Sequence, residues 1–490
     1  MWRPLRASLV AAFFVLSAVF SFCRLPYDDE WFSFAAASSP DTARVLSTLA
    51  GDLHPPWIVF FDRALWHLFH DQRALCLSRL IASTAAITLL SSVAERRLRV
   101  PWAALAALQP IVFFYSACAR WYPFLLLAQA FRAYALWSPG RRPRAWVMFV
   151  LGGIIGPMIG YVDGLFLSID SAWWLARERA HGRLRSASAT LFVLIAMDAA
   201  IFVLSPLFHE HYRLLGGLAT GGARWMPGLA GWFVTGILGQ SFLPGGGMLL
   251  ALVAVPGLGV AVHTMATEPR MRSMVPWLIA VTLGWVGLTA RMALEPRYAL
   301  MLWFLVAAGM VASLRRRGGK RIASGLAVGY LAFAWLLMVT QRFSLKGDLN
   351  RLPVGDCVSV LGRTPVDLVV APYPGTASNI RTACAPSVSV VTASWGAHYG
   401  FEAGDELAPI VRQLSTACSV LLVTVPVRDS SLAETNDAAE RLMAASHCAR
   451  ESTTHAVRDP HAALKMRLDP EVSPWRVRSE LWTCPGSPLP

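Results

Sequence analysis

The run Tyr27-Asp28-Asp29-Glu30-Trp31-Phe32 places three adjacent carboxylates a few residues after an apolar stretch that ends near Phe22. Adjacent carboxylates repel one another. They persist where water solvates them, an arginine pairs with them or a cation binds them. Such a group can deprotonate an attacking hydroxyl, or hold a divalent metal ion through Asp28, Asp29 and Glu30. The plainer alternative is a solvated loop start with no role. The same connection continues with Gly51-Asp52-Leu53-His54-Pro55-Pro56-Trp57, where His54 is a substrate-binding candidate or a helix-start residue satisfying backbone groups. Arg120-Trp121-Tyr122 lies in a tight turn between two apolar runs, and Glu295-Pro296-Arg297-Tyr298 at the mouth of another. A guanidinium meets phosphate oxygens at two points, so Arg120 and Arg297 are candidates for a lipid phosphate, with Tyr122 and Tyr298 beside them. Pairing with the loop carboxylates is the competing role for either arginine. Asp163, near the end of an apolar run, can join this group. Asp170 and Asp198 are expected to make hydrogen bonds between spans.

The elements that must position these residues are membrane helices. Charged residues make up 15% of the 490-residue chain and hydrophobic ones 55%, with a mean hydropathy of +0.48. This excludes a disordered chain, and it excludes an ordinary soluble enzyme. Apolar runs read as about eleven spans: Ala7–Phe22, Ala74–Ala94, Val100–Ser116, Trp121–Trp137, Ala145–Val162, Gly164–Ala176, Ala187–Phe208, Gly247–Ala266, Met274–Thr289, Tyr298–Leu314 and Ile322–Thr340. A small-x-small cleavage site is missing before Arg24, so the first run is expected to be retained. Ile58–Phe69, rich in aromatic residues and too short to span, suits a helix lying in the headgroup layer after a proline start.

The net charge is +14. Residues 1–342 carry 31 Lys/Arg against 15 Asp/Glu, whereas residues 343–490 carry 13 against 15. The excess sits in alternate connections between spans, at Arg96–Arg99, Arg141–Arg144, Arg177–Arg185, Arg270–Arg272 and Arg315–Arg321. That pattern marks cytoplasmic ends and gives no basic face for nucleic acid. The connections 23–73 and 209–246 then face outward, as do residues 343–490. Residues 343–490 read as a soluble α/β domain, with β-rich runs at Val366–Ala371, Ser387–Thr392 and Val420–Val425 and helical spacing at Glu406–Leu414 and Leu432–Ser446. Ala462–Leu468 is expected as a last strand. Five of eight cysteines fall there, and an oxidising exterior permits disulfides. Cys357–Cys384 and Cys418–Cys448 are the pairings that proximity along the chain suggests, leaving Cys484 over.

Taken in order, an Asp-Glu pair after the first span, His-Pro-Pro before an interfacial helix, Arg-x-Tyr between the third and fourth spans and Arg-Tyr at a late span resemble the GT-C glycosyltransferases. The similarity is to the branch of lipid A aminoarabinose transferases and dolichyl-phosphate-mannose–protein mannosyltransferases, over about residues 7–340. The resemblance implies Asp29 as base or acceptor-positioning group with Glu30 beside it; Asp28 adds a third acid. It also implies a one-step displacement that inverts the anomeric centre. An outward-facing site receives no nucleotide sugar, so the donor is expected on a membrane carrier, most simply a polyprenyl phosphate. The acceptor is then a lipid, glycan or protein outside the cytoplasm, and the location a bacterial-type inner membrane. The competing function is a transporter or flippase for a lipid-linked saccharide, which should show paired repeats with broken midplane helices.

Overall fold

The computed structural model describes residues 3–23, 28–51, 55–100, 102–137, 142–207, 209–211, 213, 240–241, 259–292, 299–313, 343–344, 366–381, 388–425, 430–458 and 475–485. The chain divides into two compact units. One holds Met1–Arg24, Leu46–Gly239 and Gly247–Met338; the other holds Leu25–Val45, Gln240–Gly246 and Val339–Pro490.

In the first unit α1 (Arg3–Cys23) is followed, past the residues that fold with the second unit, by α4 (Pro56–Phe69) and α5 (Gln72–Leu98). Here α2 (Asp28–Ser38) and α3 (Thr42–Leu49) are the helices between. Pro56 opens α4, where the missing N–H would have had no partner, and His70 closes it in a left-handed conformation (φ 49°). Phe61, Leu68 and Phe69 of α4 stay exposed. Asp71 caps α5 by accepting from the Arg73 N–H at 2.8 Å.

The expected span Val100–Ser116 is corrected to two short pieces: a 3-10 helix over Ala103–Leu108 and α6 (Pro110–Ser116). Pro110 has no N–H to continue a helix, so the chain restarts at Gln109, whose side chain accepts from Val112 N at 2.9 Å. Then come α7 (Tyr122–Trp137), α8 (Arg142–Ile159), α9 (Asp163–Ala180), α10 (Leu184–Val203), α11 (Val275–Met292) and α12 (Leu300–Ser313).

Among the described residues three helical stretches are long and apolar enough to cross a membrane: Arg3–Phe22, Gln72–Leu98 and Leu184–Val203. The protein is therefore a polytopic membrane protein. In α10 only 11% of that stretch is buried, so most of it is left for lipid, whereas α5 has 56% buried and faces protein. The helix α7 is buried along most of its length between α5 and α8. Gly152 permits the α7–α8 contact: a Cβ there would fall 2.8 Å from Arg132 Cγ and against the Ala128 carbonyl oxygen. Close backbone approach at small residues, more than water exclusion, holds such helices together. The expected span Ile322–Thr340 and the start of Gly247–Ala266 lie outside the described residues.

The second unit is built on a five-stranded sheet in the order β4-β3-β5-β7-β6. Its strands are β3 (Leu368–Val370), β4 (Ser389–Val391), β5 (Ser419–Thr424), β6 (Ala449–Arg458) and β7 (Trp475–Thr483); β1 (Gln240–Ser241) and β2 (Phe343–Ser344) form a separate pair. The strand β3 runs parallel to β4 and β5, while β7 is antiparallel to β5 and β6. Alternate residues feed two cores, as period-two side-chain placement demands. Leu368, Val370, Val420 and Leu422 pack with Ile410 and Leu414 of α13 (Ala408–Leu414) and Ala439 and Met443 of α14 (Ser430–Ala445) on one side. Val369, Leu421 and Val423 pack with Ala377, Ile380 and Val477 on the other.

Residues of α2, the following turn and the start of α3 complete this unit. Phe32 meets Tyr399 and Phe401 edge-on at 5.4 and 5.0 Å, Ser39 Oγ donates to the Phe401 carbonyl, and Arg44 Nε donates to the Gly400 carbonyl at 2.9 Å.

The expected Cys418–Cys448 bond is corrected. Cys448 is bonded to Cys484, and Cys418 is a free, exposed thiol. The β6–β7 register pairs Ala449 with Thr483, which sets the flanking residues 448 and 484 side by side. Cys357, Cys384 and the expected strand Ala462–Leu468 fall outside the described residues.

Candidate functional site

The three acids occupy the first turn of α2. Negative charge is favoured at a helix N-terminus, where unpaired N–H groups point outward and the helix dipole is positive. Glu30 is buried and partnered; the side chains of Asp28 and Asp29 fall outside the described residues. Among the described residues no three His, Cys, Asp or Glu side chains gather as a metal-ligand set. His54, Arg297 and Tyr298 also lie outside the described residues.

Arg120 and Tyr122 are placed by the turn that joins α6 to α7, and both are buried. Tyr122 begins α7 and packs against Tyr115 at 5.2 Å and Trp121 at 4.4 Å. Close by is a buried ion pair absent from the sequence reading. Arg79 Nη2 of α5 donates to both Asp62 oxygens of α4 at 2.5 Å, and the Arg120 charge also reaches this carboxylate. The helix α4 is thereby fastened to α5 beside the Arg120 turn. The Arg79 guanidinium lies 5.3 Å from the Phe124 ring centroid.

Asp163 enters a closed network rather than an open cleft. Arg132, at the middle of α7, donates through Nη1 and Nη2 to the two Asp163 oxygens at 2.6 and 2.8 Å and through Nε to Asp170 at 2.7 Å. Its Nη1 also bonds the Gly152 carbonyl at 2.7 Å. Gln129 reaches Asp163 at 3.2 Å, and Trp277 Nε1 of α11 bonds Asp170 at 2.8 Å. Asp163 and Asp170 are two turns apart on one face of α9, so a single arginine spans both. Asp170 thus makes the interhelical bonds expected of it. Arg132 was not singled out from sequence, although an arginine inside an apolar run is a signal that a carboxylate must answer it.

Tyr161, in the turn before α9, bonds His211 Nδ1 at 2.7 Å, and His211 Nε2 meets the Leu49 carbonyl at 2.9 Å. His211 is fully buried, and it too escaped the sequence reading.

No family model matches the chain, and no curated protein matches it significantly. Among solved structures it is similar to the crystal structures of ArnT from Cupriavidus metallidurans bound to undecaprenyl phosphate and in the apo state. Identity is 14% in both, with TM-scores of 0.45 and 0.43, over 100% of this chain and 99% of each of those.

Proposed function

We propose that the protein is an integral-membrane glycosyltransferase that moves a sugar from a polyprenyl-phosphate donor to an acceptor outside the cytoplasm. The observation that carries this reading is the acidic turn Asp28-Asp29-Glu30 opening a helix directly after a membrane-length apolar one. In the proposed reaction Asp29 takes the proton of the acceptor hydroxyl, whose oxygen attacks the anomeric carbon. The bond from that carbon to the phosphate oxygen breaks, and the polyprenyl phosphate leaves with the electron pair. Arg297 or Arg120 stabilises the charge that develops on the leaving phosphate, which is where preorganised donors act most strongly. The base works from one face and the phosphate leaves from the other, so the product is inverted. A divalent ion at the acids would supply further charge stabilisation, and no step above depends on one.

Mass spectrometry of envelope glycolipids, polysaccharides and proteins, with and without the intact protein, tests the reading. One sugar modification should vanish while its polyprenyl-phosphate donor accumulates. Unchanged glycans together with a lipid-linked saccharide trapped on one side of the membrane would favour a flippase instead.

A further inference from the structure

A cavity of about 530 Å³ opens at the far end of α7 from Arg120, lined by Arg97, Trp137, Trp173, Arg177, His181 and Ser273 among others. The 16 residues of α7 separate the two places by roughly 22–24 Å at 1.5 Å per residue. Arg97 ends α5 and Arg177 ends α9, and both reach the last carbonyls of α7. Arg97 Nε and Nη2 donate to the Trp137 oxygen at 3.0 and 2.8 Å. Arg177 Nη1 donates to the Leu136 oxygen at 2.9 Å and to that of Ala135.

These partners are neutral. Carbonyls at a helix C-terminus offset about half a charge between them, so most of the charge of the two guanidiniums remains unbalanced. Arg97 is further repelled by Arg177 and Arg270. The Glu178 carboxylate sits 3.9 Å from Arg177 Nε and belongs more nearly to Arg183, at 2.6 Å. A guanidinium carries five donors, and those of Arg97 and Arg177 are only partly spent on the carbonyls. Trp137 and Trp173 add indoles, side chains that settle at headgroup depth. The Arg97 guanidinium lies 5.4 Å from the Trp137 ring.

We propose that this cavity binds the phosphate of an anionic phospholipid at the arginine-rich ends of α5, α7 and α9. Positive charge in excess calls for an anion, and planar guanidinium donors match phosphate oxygens. The place, at the ends of apolar helices between two indoles, favours a lipid over a free anion. By the charge alternation of the sequence this is the cytoplasmic leaflet. The proposal stands apart from the sugar-transfer reading and does not depend on it.

Arg97 and Arg177 also hold the end of α7, so their removal would confuse binding with folding. Ser273 is exposed and lines the cavity, which makes it the residue to change. Full-length protein, delipidated in detergent, is titrated with phosphatidylglycerol, with phosphatidylcholine and with inorganic phosphate. Retained lipid is read by native mass spectrometry and stability by thermal denaturation. Phosphatidylglycerol should be retained and raise the melting temperature, and phosphatidylcholine should do neither.

Ser273→Asp should weaken phosphatidylglycerol retention roughly five- to tenfold, and Ser273→Lys should strengthen it, as one charge near a headgroup implies. The lipid-free melting temperature should change little in either variant. Equal retention of the two lipids, or indifference to the charge at 273, overturns the proposal. Stabilisation by inorganic phosphate that displaces phosphatidylglycerol would assign the cavity to a free anion and overturn the lipid assignment.

Discussion

Asp29→Asn removes a proton acceptor while keeping the shape of the side chain. If Asp29 is the base, transfer should fall by roughly 10²–10⁴-fold, while membrane insertion and melting temperature stay near those of the parent. A donor-to-acceptor transfer assay on purified protein reads the first and a thermal scan the second. Loss in Asp28→Asn or Glu30→Gln instead would move the role by one residue.

Arg132 calls for a different experiment, because its work is structural. Arg132→Met leaves Asp163 and Asp170 buried without their cation, a loss of about 3–5 kcal/mol in other buried pairs. Adding Asp163→Asn and Asp170→Asn should restore much of the melting temperature, since the uncompensated charge then disappears. The acids and Arg120 stand out in the sequence as polar residues at the ends of apolar runs, which is why they are candidates. Arg132, Asp62–Arg79 and His211 are not, since each is explained only by a partner 17 to 162 residues away.

At the scale of elements, α8 lies against α7 and α9 where Gly156, like Gly152, has no side chain to keep them apart. A Cβ at Gly156 would strike the Asp163 carboxylate and fall 2.8 Å from Arg132 Nη1. Gly156→Ala should therefore cost about 1–3 kcal/mol as an overpacked site, toward the upper end because an ion pair must move with it. A lower melting temperature in detergent checks this, and Gly164→Ala, with open space around its Cβ, serves as the neutral control.

Long apolar runs announced α1, α5 and α10, because a span needs little besides length and hydropathy. The break at Gln109–Pro110 is marked in the sequence by the proline, but the length and hydropathy of Val100–Ser116 outweigh it in a reading by apolar runs. Strands β3, β4 and β5 were legible as β-branched runs. The pair β6–β7 was not: β6, Ala449–Arg458, is an edge strand rich in polar residues and lacks the alternation that marks a half-buried strand.

On the scale of the whole molecule, the chain passes between the two units several times, and Leu25–Val45 folds with the C-terminal residues. A fragment of residues 343–490 would lack Phe32 against Tyr399 and Phe401 and the Ser39 and Arg44 bonds to the 400–401 backbone. Expressed alone it should melt lower than a fusion that also carries residues 25–45, as circular dichroism would show. The charge alternation also predicts an exterior C-terminus. A reporter active only outside the cytoplasm, fused after Pro490, should be active, and activity of a cytoplasmic reporter there would displace the acids from the outer face.

The disulfide has a consequence for anyone who probes the protein with a protease. Cys448 and Cys484 lie 36 positions apart along the chain. A cut at any bond between them yields two polypeptides that remain one covalent molecule. On a gel run without reductant, such a nicked protein travels close to the intact one and passes for resistant. Only reductant releases the second band, so protease maps of this region must be read in both lanes.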